Sequence, residues 1–320
     1  MFTLSRKAKQ FLTVLIKLLI VGGAFYFIYD RITNSGQLNW SLFGEILTQG
    51  KSLWIIAIIL ALTFLNRFIE IIKWQNLVSS FKDITIGKSA AQVLSAMTAA
   101  LFTPNGIGEY AAKALYFDKK QAKNIIFLNL ICNGIQLIIA VLGGLLGLVA
   151  FNAMYPIMPG CALITALAYI FILLVLLFTA RNFAIRGYSI QKIMDKVNSL
   201  SKEIHRKNTL LAFCRYMALL HQHYFLFMLF GVSLPYPEMM AAITAVYFLG
   251  SSLPTFQLFD FAVRGSVAVF FFGLLDVNEW IVVFAATLQW LLNIVIPVAI
   301  GSYFVFRYKP EKEETESTLH

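Results

Sequence analysis

Long apolar runs separated by short charged segments set the rhythm of this chain, and inside several runs polar residues recur at helical spacing. Runs of eighteen or more apolar residues read as membrane helices. The first spans about Phe11 to Asp30, behind Arg6, Lys7 and Lys9. It is too long for a signal peptide and lacks a small-residue cleavage site, so an uncleaved helix is predicted, with Lys17 snorkelling to the inner face. Leu38, Trp40, Phe43 and Leu47 suggest a short surface helix. A second membrane helix over 53–81 opens with Trp54 and closes near Trp74, an aromatic belt at both ends. Thr63, Asn66, Arg67, Glu70 and Trp74 share one of its faces. Arg67 falls roughly 20 Å from the outer end of a core about 30 Å thick, deep for a surface charge yet shallow enough to snorkel.

The pattern breaks at Thr103-Pro104-Asn105-Gly106-Ile107-Gly108-Glu109, followed by Lys113 one helical turn after Glu109. Proline lacks an amide hydrogen and glycine gives up most order on folding, so a helix ends here. Within a bilayer such a break is tolerated only where the backbone is buried in protein or lines a wet cavity. The alternative is a polar surface loop whose charged pair solvates a helix end.

Basic segments decide between these. If residues 88–118 crossed the bilayer, Lys119, Lys120 and Lys123 would lie outside, and so would Arg181, Arg186, Lys192, Lys196, Lys202, Arg206 and Lys207, against the positive-inside rule. A re-entrant hairpin from the cytoplasm, turning at Pro104–Gly108, satisfies it. Helix four, about 124–151, carries Asn129, Asn133 and Gln136; helix five returns over about 161–180. Between 181 and 208, Ile190, Ile193, Met194, Val197, Leu200 and Ile204 share a face, which suits an amphipathic helix on the inner leaflet or one docked on the bundle. Helix six, about 210–231, bears Arg215, His221 and His223. Then Pro254, Asp260 and Arg264 echo Pro104, Glu109 and Lys113, so a second hairpin is predicted to enter from outside. Helix eight, 280–308, carries Gln289 and Asn293 one turn apart.

The predicted fold is an all-α polytopic membrane protein: one integral membrane domain over 1–320 with six full spans plus two re-entrant hairpins. Helix, helix, hairpin, helix occurs twice with opposite orientation, in repeats over 1–151 and 161–308, with a cytoplasmic basic amphipathic linker at 181–208 between helices five and six and a disordered polar tail at 309–320. Inverted repeats of this kind build transporters whose broken half-helices meet at the midplane. Each entering arm, about sixteen residues long, rises about 24 Å, enough for the tips to meet.

Composition agrees: the chain is 59% hydrophobic and 13% charged, with mean hydropathy +0.75. The net charge of +10 sits in inter-helix segments, so no nucleic-acid partner is required. Cys132, Cys161 and Cys214 lie in apolar runs without ligand spacing, and His221 and His223, two apart, cannot chelate jointly. No metal site and no cofactor are expected.

The Asn-Arg-x-x-Glu-x-x-Lys-Trp run from Asn66 to Trp74, the Pro-x-Gly-x-Gly-Glu hairpin with Lys113, and the second Pro hairpin with Arg264 resemble the lysylphosphatidylglycerol synthase transmembrane region family, also called the flippase-like domain. The likeness covers nearly the whole chain. It implies translocation of a polar lipid headgroup in a bacterial inner membrane, with both termini cytoplasmic. Some members are fused to an aminoacyl-transferase domain; about a dozen residues follow helix eight here, so none is expected. The second hairpin departs from the family's glycine-rich pattern, reading Pro254-Thr255-Phe256-Gln257-Leu258-Phe259-Asp260, with Gly265 after Arg264.

The leading expectation is therefore a translocase of an anionic or aminoacylated phospholipid, not an enzyme. Arg67, Lys73, Lys113 and Arg264 are candidate phosphate ligands, joined by backbone amides around Asn105, Gly106 and Gly108. Glu70, Glu109, Asp260 and His221 are candidates for a coupling proton or for ion pairs, and Asn66, Asn133, Gln136, Gln289 and Asn293 for the cavity lining. The alternatives are charges that only fix helix packing, a non-catalytic subunit recruiting a separate synthase, and an intramembrane lipid enzyme, for which no nucleophile and base stand out. A homo-oligomer stays open.

Overall fold

Helices account for every regular element among the described residues. The computed structural model describes residues 52–101, 103, 106–160, 168, 179, 190–252 and 260–308. The predicted first helix, the surface helix at 38–47, Pro104, Asn105, Pro254, nearly all of helix five and the 309–320 tail lie outside them. Leu53–Val78, Lys119–Met154 and Glu279–Arg307 are long and apolar enough to cross a membrane.

The chain runs through α1 (Ser52–Val78), α2 (Ile86–Ala100) and α3 (Gly108–Ala114), then a 3₁₀ turn at Lys119–Gln121 and α4 (Ala122–Met154). After α5 (Ile190–Asn198) come α6 (Lys202–Leu229), α7 (Tyr236–Ser252), α8 (Asp260–Gly273), α9 (Glu279–Trp290) and α10 (Ile296–Arg307). Caps set several starts. Thr85 Oγ1 accepts from the Lys88 amide, and Asn278 Oδ1 from that of Trp280, satisfying donors that a helix end leaves orphaned. Ser201 Oγ accepts from the Ile204 amide, so α6 begins at Lys202 rather than near Leu210. The amphipathic helix ends at Asn198, and Ile204 belongs to α6 instead.

The stretch predicted as one helix over 280–308 is broken by a π turn at Leu291–Val295. Pro297 is the cause. It has no amide hydrogen and its ring clashes with the carbonyl four residues back, that of Asn293, so the helix widens there. The freed carbonyl becomes an acceptor for another element.

Two ends of the bundle are defined by named contacts. At one, Phe117 packs on Phe81 with centroids 5.7 Å apart, Tyr308 donates to the Leu115 carbonyl at 2.5 Å, and Asn76 Nδ2 to the Ile204 carbonyl at 3.1 Å. At the other, Tyr155 donates to Glu238 Oε2 at 2.7 Å and Phe151 meets Phe271 at 5.0 Å. Phe81 before α2 thus meets Phe117 after α3, and Glu238 of α7 and Phe271 of α8 both lie against the C-terminal end of α4.

Helix α1 packs along α6, α4 along α7, and α10 along α2. Glycines permit the last two crossings: a Cβ on Gly147 would lie 1.8 Å from Thr244 Oγ1, and one on Gly301 2.1 Å from the Leu94 carbonyl oxygen. In a lipid solvent small residues that let backbones approach supply the packing that hydrophobicity cannot. Trp74 corrects the belt expectation. Trp54 is exposed, but Trp74 is fully buried, its Nε1 donating to Gln92 Oε1 at 2.7 Å.

Candidate functional site

The polar face of α1 does not point to solvent. Asn66, Glu70 and Lys73 are all buried, and α3, α4, α6 and the π turn close over them. Glu70 is shared: Arg67 pairs with it from the preceding turn, and Arg215 Nη2 of α6 reaches it at 3.1 Å. Arg67 does not snorkel; its Nη2 donates to the freed Asn293 carbonyl at 2.6 Å. Arg215 Nε donates to Asn66 Oδ1 at 2.9 Å, and Asn66 Nδ2 to Asn293 Oδ1 at 2.6 Å. From Asn293 the network continues to Gln222 and Thr63, while Gln289 Nε2 donates to the Leu219 carbonyl.

Lys113 of α3 is fully buried. Its Nζ lies 2.5 Å from Glu109 Oε1, 2.8 Å from Asn129 Oδ1 and 4.3 Å from the centre of the Trp74 ring. Lys73, equally buried, meets only neutral oxygens, those of the Cys132 carbonyl and Gln136, each at 3.2 Å. Both lysines and both arginines act electrostatically on Glu70, so this is one cluster. It holds four cations, Arg67, Lys73, Lys113 and Arg215, against two carboxylates, Glu70 and Glu109. Two buried donors in it, Arg67 Nε and Asn129 Nδ2, have no acceptor.

The turn before α3 is built by Thr103. Its carbonyl accepts from the Gly106 amide and its hydroxyl from the Gly108 amide at 2.8 Å. The backbone donors expected around Gly106 and Gly108 are therefore engaged within the chain. Gly106 has φ of 69°, the left-handed region that glycine enters without steric cost.

The Asp260–Arg264 pair of α8 stands apart from this cluster. Arg264 Nε lies 2.8 Å from Asp260 Oδ2, with both side chains partly exposed, and its guanidinium sits over the Tyr247 ring at 5.0 Å. Beside them is His223, buried and stacked on Phe227, with neither ring nitrogen partnered. His221 is elsewhere, between the Met217 carbonyl and the Tyr236 hydroxyl. Asn133 lies against Tyr110.

Of the candidates read from sequence, Arg67, Glu70, Lys73, Glu109, Lys113, Asn66, Gln136, Gln289 and Asn293 come together. Asp260 and Arg264 form their own pair, and His221 joins neither. Arg215 and Gln222 complete the cluster without having been singled out, although the depth argument that marks Arg67 applies equally to Arg215.

The sequence matches no protein-family model and no curated protein. The arrangement must speak for itself.

Proposed function

We propose that this chain is a lipid translocase that carries an anionic or aminoacylated headgroup past the buried cluster while the acyl tails remain in the bilayer. The observation that carries the reading is the excess of buried donors over acceptors. Burying an uncompensated ammonium is expensive, yet among the described residues Lys73 has no carboxylate partner and Arg67 Nε and Asn129 Nδ2 are unfilled. A phosphate supplies the oxygens these donors lack, and charge-assisted bonds to it are about twice as strong as neutral ones.

The architecture expected from the positive-inside rule fits the same reading. Each hairpin leaves and regains its own end of the bundle, and the packing of α4 on α7 mirrors that of α10 on α2. This supports the two re-entrant hairpins; the count of six spans, and entry of the first hairpin from the cytoplasm and the second from outside, rest on the apolar runs and the positive-inside rule. The resemblance to the flippase-like domain of lysylphosphatidylglycerol synthases points to the same activity.

The test pairs two measurements on each variant reconstituted in liposomes: headgroup exchange between leaflets and thermal unfolding in detergent. Lys73→Gln should abolish exchange of anionic lipids and leave stability unchanged or higher, because an unpaired buried charge is removed. Lys73→Arg should retain part of the exchange. If Lys73→Gln exchanges lipid at the wild-type rate, the charges serve packing alone.

A further inference from the structure

A second site lies away from the cluster, near the end where α5 meets α6. A cavity of about 230 Å³ opens between α4, α5 and α6. Its α4 wall runs from Phe127 through Ile131 and Ile135 to Ile138, eleven residues along one helix and so roughly 16 Å long at 1.5 Å per residue. It is a largely apolar slot, and Leu130 and Ile138 of its lining are exposed. Gly134 in its wall has no atom within 4 Å of where a Cβ would stand, so here the glycine leaves open space instead of permitting a helix crossing.

Two polar features mark the slot as more than a packing gap. Lys196 of α5 places its ammonium 4.4 Å from the centre of the Phe127 ring, at the rim. Asn208 of α6 lines the wall, is 1% exposed, and its Oδ1 has no partner. An acceptor buried without a donor is costly, and a bound hydroxyl would satisfy it. The surrounding segment is basic, with Lys202, Arg206 and Lys207 on the first turns of α6.

We infer that this slot binds one phospholipid of the adjacent leaflet, with an acyl chain along α4, its phosphate at Lys196 and a headgroup hydroxyl on Asn208. An anionic lipid with a hydroxyl-bearing headgroup fits all three features. The site is separate from the central cluster, and its occupancy does not depend on whether that cluster moves lipid.

Native mass spectrometry of the full chain released from nanodiscs of mixed phosphatidylglycerol, phosphatidic acid and phosphatidylethanolamine reads the inference directly. Wild-type protein should retain one anionic lipid. Gly134→Leu fills the slot and should cut retention about tenfold or more, since even two displaced methylenes are worth that factor. Lys196→Gln should erase the preference for anionic lipid, and Asn208→Leu the preference for phosphatidylglycerol over phosphatidic acid. Should Gly134→Leu lower the melting temperature, Ile138→Trp crowds the slot from an exposed position on its lining and must give the same loss. Wild-type retention in Ile138→Trp or in a stable Gly134→Leu overturns the inference, whatever the exchange assay shows.

Discussion

Helices α3 and α8 carry the same chemical pair, an acid followed by a base one turn later, and put it to different use. Glu109 and Lys113 are buried and tied into α1 and α4, with the ammonium over Trp74. Asp260 and Arg264 remain partly exposed, supported by Tyr247 and beside His223, whose ring nitrogens have no hydrogen-bond partner among the described residues. Spacing on a helix therefore fixes that two charges meet; what surrounds the helix fixes what their meeting is worth. In the first region the pair is also held by side chains of two other helices, Asn129 of α4 and Trp74 of α1, so removing one charge leaves several groups unbalanced. In the second the pair is nearly self-contained.

Breaking the first region should cost the most. Glu70→Gln removes the one carboxylate shared by Arg67 and Arg215, and should destabilise by about 3–5 kcal/mol, the penalty for stranding a buried charge. Thermal unfolding in detergent measures it. A smaller loss, about 1–3 kcal/mol, is expected for Gly301→Ala, where a new methyl meets the α2 backbone and neither side can yield as a side-chain tip would. Gly147→Ala meets a hydroxyl instead and should cost less than Gly301→Ala; the reverse order would show that the α4 and α7 crossing is the more rigid. In the second region the sign changes. His223→Phe should stabilise by about 1 kcal/mol, because two unpartnered ring nitrogens leave a buried site already lined by Phe227 and Tyr247. A loss of stability there would mean that the imidazole has a partner and that the two regions are alike. Smallest of all, Asp260→Asn should cost about 0.2–1 kcal/mol, as partly exposed pairs do. A loss as large as that of Glu70→Gln would erase the contrast.

Much of this was legible in the sequence because helical spacing is rigid. Asn66, Arg67 and Glu70 had to share a face, and a proline with two glycines had to end a helix. What could not be read is which face another helix covers. Trp74 looks like an interfacial anchor until Gln92 is placed beside it, and Arg215 is one charge in an apolar run until α6 is laid along α1. Pro297 carried a signal that periodicity ignores: the helix continues past it, so the pattern of apolar residues is undisturbed, and only the hydrogen-bond count reveals the freed carbonyl of Asn293. The start of α6 was hidden for the opposite reason, since its first turns are too basic to look like part of an apolar run.

That π turn has a mechanical consequence. On one side of it α9 packs on α8; on the other α10 is pressed against α2. A continuous α-helix would couple α8 to α2 as a rigid rod does. The widened turn at Leu291–Val295 interrupts that rod, and Asn293 within it is held by Arg67 at its carbonyl and by Asn66 and Gln222 at its side chain. The guanidinium that pairs with Glu70 thus also clamps the break between α9 and α10.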